Sequence, residues 1–214
     1  MKVSLTTNLH MIRHYRACVD RYHRLKDRLG PGYKDLDPIN LLTILDLGGV
    51  TDCLWALRAS KDHPQKDKVI RSMAADFAEL VLPFYEQAYQ DDGRPRKAVE
   101  AARRYARRKI SRAAMKKARD DAWDAAVAHG LLGNVAAEKA ATAAAWSTAE
   151  PPWLAAWCAA EYAAEATAWA AASGPWQGNI GGIVYNEAAD WAAAAAIARD
   201  TQGEIIRRYL DYGV

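Results

Sequence analysis

Residues 136–146 read Ala136-Ala137-Glu138-Lys139-Ala140-Ala141-Thr142-Ala143-Ala144-Ala145-Trp146, and this stretch decides the fold class. Alanine is the strongest helix former, so runs of it favour helix. The pattern recurs: Trp123, Trp146, Trp169 and Trp191 stand 23, 23 and 22 residues apart, each among alanines. That period suits one helix plus one turn. Turn-forming residues fall between them: Gly130 and Gly133-Asn134, then Pro151-Pro152, then Gly174-Pro175 with Gly178, Gly181 and Gly182. Alanine lets neighbouring backbones approach closely, and a tryptophan per helix can fill the space left over. The expectation is an all-α single domain, 1–214, of stacked antiparallel helices, its C-terminal half an Ala/Trp-rich helical repeat of about 23 residues. A disordered tail is disfavoured because the 8 tryptophans need burial.

Towards the N-terminus the apolar positions keep helical spacing. Leu9, Ile12, Tyr15, Val19, Tyr22, Leu25 and Leu29 predict one helix from Thr7 to Leu29, stopped by Gly30-Pro31-Gly32. Asp37-Pro38 predicts a helix start, and that helix ends at Gly48-Gly49. Thr51 or Asp52 then caps the next one. Val69, Met73, Phe77, Leu80, Val81 and Phe84 line a further helix that Pro83 should kink or end. Strand-like alternation is hard to find. The chain divides into N-terminal helices (1–93), basic helices (94–119) and an Ala/Trp-rich stack (120–214).

Composition narrows the class. With 51% apolar and 26% charged residues, the chain has the material for a packed core and lacks the signature of disorder. Cys18, Cys53 and Cys158 are odd in number and widely spaced, which fits a reducing compartment better than a disulfide framework. The first 16 residues lack the apolar run of a signal peptide, so a cytoplasmic location is expected. Glycines and Pro175 interrupt the longest uncharged run, Ala166 to Asn186, and no membrane segment is expected.

Most chemistry-bearing clusters have plainer readings. His10, His14 and Cys18 recur every four residues and on one helix would form a stripe, but His10 to His14 lacks the glutamate of the zinc-protease pattern. Asp91-Asp92 before Arg94-Pro95-Arg96 reads as a helix cap before it reads as a carboxylate–guanidinium catalyst. Asp120, Asp121, Asp124 and His129 read as the wet face of a helix. Gly178, Gly181 and Gly182 precede a helix that Asn186 caps, without the strand or lysine of a phosphate loop. No catalytic, cofactor or metal site is expected, and the chain is read as not an enzyme.

The basic segment stands apart. Residues 94–119 hold twelve Lys/Arg against Glu100 alone, a charge of +11 in a chain whose net charge is +3. Between Ala140 and Ala198 there is no Lys or Arg, while Glu150, Glu161, Glu165, Glu187 and Asp190 are present. Clustered arginine attracts acidic protein surfaces or phosphates. Equally, it can face solvent, or pack against the acid-bearing C-terminal helices. The partner-binding candidates are Arg94, Arg96, Arg103, Arg104, Arg107, Arg108 and Arg112.

Two stretches carry a family resemblance: Thr51-Asp52-Cys53-Leu54-Trp55-Ala56-Leu57-Arg58, and Asp76-Phe77-Ala78-Glu79 running on to Asp91-Asp92-Gly93-Arg94-Pro95-Arg96-Lys97-Ala98-Val99-Glu100-Ala101-Ala102-Arg103. They resemble the bacterial and phage immunity proteins of polymorphic-toxin systems, fifth group, best between Thr51 and Ala106. The resemblance implies an all-helical, non-enzymatic protein that binds another protein, neutralising a toxin or, in a phage, blocking a host defence. It transfers no functional residues. The expected function is thus a protein-binding inhibitor of immunity or counter-defence type, its basic helices meeting an acidic partner. Sequence-nonspecific nucleic-acid binding through the same arginines is the alternative, and a homodimer is possible.

Overall fold

The computed structural model describes residues 4–130, 132–172 and 187–212. These form a single all-helical domain of stacked antiparallel helices. The elements are β1 (Thr6–Thr7), α1 (Leu9–His14), α2 (Val19–Leu29), β2 (Ile39–Asn40), α3 (Leu41–Ala56), α4 (Lys66–Ala88), α5 (Arg94–Ala106), α6 (Arg112–Gly130), α7 (Val135–Trp146), α8 (Pro152–Ala172) and α9 (Glu187–Arg207). A 3-10 turn, Leu57–Ala59, follows α3, and a π turn, Arg208–Tyr212, follows α9.

The N-terminal region departs from its periodicity. The single helix expected over 7–29 is two helices, because Arg16 adopts a left-handed φ of 60° and closes α1. Ala17 N donates to Ile12 O at 3.2 Å and Arg16 N to Arg13 O at 2.9 Å, the paired bonds of a Schellman end. Asp37-Pro38 starts no helix: the Asp37 carboxylate accepts from Lys34 N at 2.9 Å, and Asn40 caps α3 by accepting from Leu42 N at 2.9 Å. Pro38 instead leads into β2, which pairs antiparallel with β1 in the register Thr6↔Asn40 and Thr7↔Ile39. Strands of two residues are too short to leave a visible alternation. Gly49 breaks the regular run of α3 with φ 79°. Pro83 does not end α4, which continues to Ala88 with the proline on its exposed side.

Two buried clusters hold the helices, and α4 serves both. One is aliphatic and aromatic: Leu5, Leu9, Ile39, Ile44 and Leu54 meet Ile70, Met73 and Phe77 of α4. Each such side chain contributes about 1.5–3 kcal/mol of transfer free energy. In the other, Ala75, Ala78, Leu82 and Tyr85 of α4 meet Ala98 and Ala102 of α5, Ala122 of α6, Ala140, Ala141 and Ala144 of α7, and Ala163 of α8. Alanine buries little area per residue, so close backbone approach and the dispersion contacts that come with it must make up the difference. Of the tryptophans, Trp55, Trp146, Trp153 and Trp157 are partly buried and pack against the first cluster. Trp123 is 46% and Trp169 38% exposed, and Trp123 meets Trp146 edge to face. The side chain of Trp191 and the glycines of 178–182 with Asn186 lie outside the described residues.

Candidate functional site

α5 is amphipathic: Ala98, Val99 and Ala102 are buried, leaving its arginines at the flanks and outside. Asp91 and Asp92 turn the chain from α4 into α5, making the two helices an antiparallel hairpin. Residues then face each other across that turn, and the arginines of one flank meet acids on α4. Arg96 pairs with Glu86, its Nη2 2.8 Å from Oε2, and lies 3.4 Å from Glu79. Arg103 pairs with Glu79 and lies 2.6 Å from Asp76. Asp76 also receives Arg208 Nη2 at 2.6 Å and the Tyr209 hydroxyl at 2.9 Å, which ties the C-terminal π turn to the same strip.

Arg94 is held at the turn itself. Its guanidinium reaches Asp92 at 2.6 Å, and the same carboxylate accepts the backbone N–H of Arg94 at 3.1 Å and the Tyr85 hydroxyl at 2.6 Å. The N-cap position of α5 is Gly93, which has no side chain to cap it; Asp92, one residue earlier than a cap, accepts only the first amide of the helix. The hydrogen bonds from Arg94 hold the Asp92 carboxyl well below the usual carboxylate range, against the opposing effect of burial. Burial, with Asp92 beside it, pushes the Tyr85 phenol up. His129, expected on the wet face of α6, turns inward: Nε2 lies 3.2 Å from Asp92 Oδ2 and the ring stacks on Tyr89 at 3.7 Å. Asp120 and Asp121 do lie on the outer face, paired with Lys116 and Lys117 one turn earlier, both at 2.7 Å.

The seven candidate arginines thus separate into two sets. Arg94, Arg96 and Arg103 are structural, paired to α4 and its turn. Their acids are Asp76, Glu79, Glu86 and Asp92, while three acids nearer the C-terminus find other cations: Glu150 takes Arg71 at 2.5 Å, Glu161 takes Arg199 at 2.5 Å and Glu165 takes Lys139 at 3.4 Å. Arg104, Arg107, Arg108 and Arg112 are exposed and have no side-chain partner among the described residues. With Lys109 they crowd the turn between α5 and α6. That turn is a second Schellman end. Lys109 N donates to Arg104 O and Arg108 N to Tyr105 O, both at 2.8 Å, with Arg108 at φ 57° where glycine is the usual residue.

Two grooves flank the turn. One, about 1060 Å³, runs between Arg107, Arg108 and Tyr105 on one side and His63, Lys66 and Lys68 at the start of α4 on the other. The second, about 590 Å³, is lined by Arg112, Met115, Lys116, Trp123 and Trp146. The two tryptophans there meet edge to face at 6.3 Å. Between the grooves stands a residue that the sequence did not single out. Arg71, 4% exposed, pairs with Glu150, donates to Ala149 O at 3.1 Å and sits 4.9 Å from the centre of the Tyr105 ring. An arginine among apolar neighbours on the inner face of α4 was its only signal.

The stripe that His10, His14 and Cys18 would form on one continuous helix is not assembled. α1 ends at His14, the chain reverses at Arg16, and Cys18 begins a separate helix, so the three residues share no helix face. No family model, no curated protein and no solved structure matches this chain.

Proposed function

We propose that this chain is a non-enzymatic binding protein that engages an acidic protein partner through the turn between α5 and α6. The observation that carries the reading is the set of four exposed arginines, Arg104, Arg107, Arg108 and Arg112, without side-chain partners among the described residues, beside a groove that holds the half-exposed Trp123. Arginine and tryptophan are the side chains that most often dominate protein interfaces. Val127, 55% exposed and one turn beyond Trp123, extends the apolar part. The exposed Trp123 and Val127 beside the arginines make a mixed apolar and cationic surface, which suits a protein partner better than a phosphate backbone. Among the described residues, no helix is long and apolar enough to cross a membrane.

The immunity or counter-defence class comes from the family resemblance, and it fits a partner recognised by charge: such surfaces mainly raise the association rate. We read the Ala/Trp helices, with a period of about 23 residues, as the repeat that braces this turn. The test reverses Arg104, Arg107, Arg108 and Arg112 to Glu, sparing the structural Arg94, Arg96 and Arg103. Affinity capture from the native host, with and without infecting phage, should yield an acidic protein whose association slows with salt and is lost in the variant. An unchanged association rate in the folded variant refutes the surface. Binding to labelled duplex or single-stranded oligonucleotides at low salt, without a protein partner, replaces it with the nucleic-acid reading.

A further inference from the structure

We infer that the N-terminal helices hold a second site, for a small amphipathic carboxylate. A cavity of about 210 Å³ lies between α1, α2, α3 and α8, lined by Ile12, Tyr22, Leu25, Ile44, Trp55 and Trp157. Its polar members are Cys18 and the ion pair of Arg21 Nη1 with Asp52 Oδ1, 2.7 Å apart. The same pair lines a second cavity of about 230 Å³, together with Arg24, Arg28 and Thr51. One space is apolar and the other cationic, and Arg21, Leu25 and Asp52 are common to both.

The charge balance selects the ligand. Arg21, Arg24 and Arg28 recur at i, i+3 and i+7 and so share one face of α2. Asp52 is the one acid among the described residues lining either cavity. Arg21 spends a single Nη on Asp52, and Arg28 donates to the Leu47 carbonyl. Arg24 has no side-chain partner among the described residues. A guanidinium has five N–H donors, so capacity for a carboxylate remains on Arg21 and Arg24. The position of Asp52 depends on Gly48: a Cβ there would meet Asp52 Oδ2 at 2.6 Å.

Size sets the other end of the ligand. An apolar cavity of roughly 150 Å³ accepts a benzene ring, so this chamber admits a substituted ring or a short acyl chain. The void costs its aromatic and aliphatic lining dispersion contacts that an apolar tail would restore. The head then lies on Arg21 and Arg24, with the tail between Trp55 and Trp157. This site is separate from the basic turn and does not depend on the partner proposed for it.

The test titrates the full chain calorimetrically with octanoate, octan-1-ol and octylammonium, and follows alkylation of the exposed Cys18 in a Cys158→Ser background. Cys53 is a silent thiol there, since burial pushes it up to about 12. Octanoate should bind about tenfold or more tighter than octan-1-ol, the worth of one charge-assisted hydrogen bond, and should slow Cys18 alkylation. Arg24→Gln, at an exposed position without a partner among the described residues, should erase most of that preference while leaving octan-1-ol unchanged. Ala17→Leu, which fills the chamber, should weaken both. Equal binding of acid and alcohol, preference for the ammonium, no binding at millimolar ligand, or an Arg24→Gln variant that keeps the preference overturns the inference.

Discussion

Replacing Arg108 by glycine should stabilise the protein and weaken it as a binder. Arg108 holds φ 57° because the α5 end needs a left-handed residue to place Lys109 N on Arg104 O and Arg108 N on Tyr105 O, each at 2.8 Å. A residue with a Cβ loses roughly 1–2 kcal/mol in that conformation. Glycine escapes the penalty but brings back unfolded-state freedom of about 0.5–1 kcal/mol. The net gain is on the order of 0.5–1 kcal/mol, or about 1–4 °C in Tm for a chain of this length. Removing one positive charge from the Arg104–Arg112 cluster adds a second, screenable gain. Urea unfolding of Arg108→Gly, Arg108→Asn and Arg108→Ala at low and high salt separates the two. The backbone effect should persist at high salt and rank glycine first, asparagine next and alanine last. Arg108→Ala as stable as Arg108→Gly at high salt would refute the backbone argument. A gain for glycine with no loss of partner binding would instead mean that the strained position serves no surface role.

Three further outcomes follow from the packing. Ala144→Leu inserts three carbons where α4, α7 and α8 meet around a fully buried methyl; it should cost about 2–3 kcal/mol and lower Tm by roughly 4–12 °C, whereas Trp123→Ala should leave Tm nearly unchanged. Arg71→Ala should cost about 3 kcal/mol in denaturant unfolding by stranding Glu150 and the Ala149 carbonyl, a figure at the low end because Glu150 is 30% exposed. Asp92 titrates lower in the folded chain than its ordinary 3.8, so it stabilises fully above that value and progressively less as pH falls towards the folded one. Asp92→Asn should therefore be less stable at neutral pH and show a shallower loss below about pH 4 than wild type, and parallel acid-unfolding curves would contradict the assignment.

How legible these features were depended on whether the signal was local. The alanine runs announced α6 to α8 because helix propensity acts within a few residues, and Ser111, which accepts Ala114 N at 3.2 Å, adds a local cap to α6. The break at Arg16 was hidden because an arginine occupies the position where glycine would have signalled it, and the apolar spacing runs on unbroken through Tyr15 and Val19. The seven arginines look alike in sequence because what divides them, the acids that Arg96 and Arg103 meet, lies on another helix. Even so, the hairpin turning at Asp91 and Asp92 sets 86 opposite 96 and 76 to 79 opposite 103, so the α4 acids could have been matched to Arg96 and Arg103 by counting outward from the turn. No such count reaches Arg71, whose carboxylate partner, Glu150, is 79 residues away.

The division among the arginines bears on how the basic turn would bind. If all seven were free, ordering their long side chains and the turn between two helices would offset much of what their charge contributes. Instead Arg96 and Arg103 fasten α5 to α4, Arg94 fixes its start, and Arg71 joins α4 to the chain just before α8. The same electrostatics that would attract a partner are first spent on rigidity, at sites that are partly buried and so weakly screened. What remains exposed is a short cationic ridge on a fixed base, and preorganisation of that kind cuts the entropic cost of association. Two salt dependences should therefore separate: partner association through Arg104, Arg107, Arg108 and Arg112 should fall steeply with ionic strength, while unfolding, governed by the inner set, should respond little. If salt lowered both in step, the inner and outer arginines would be one electrostatic system, and the two-set reading would fail.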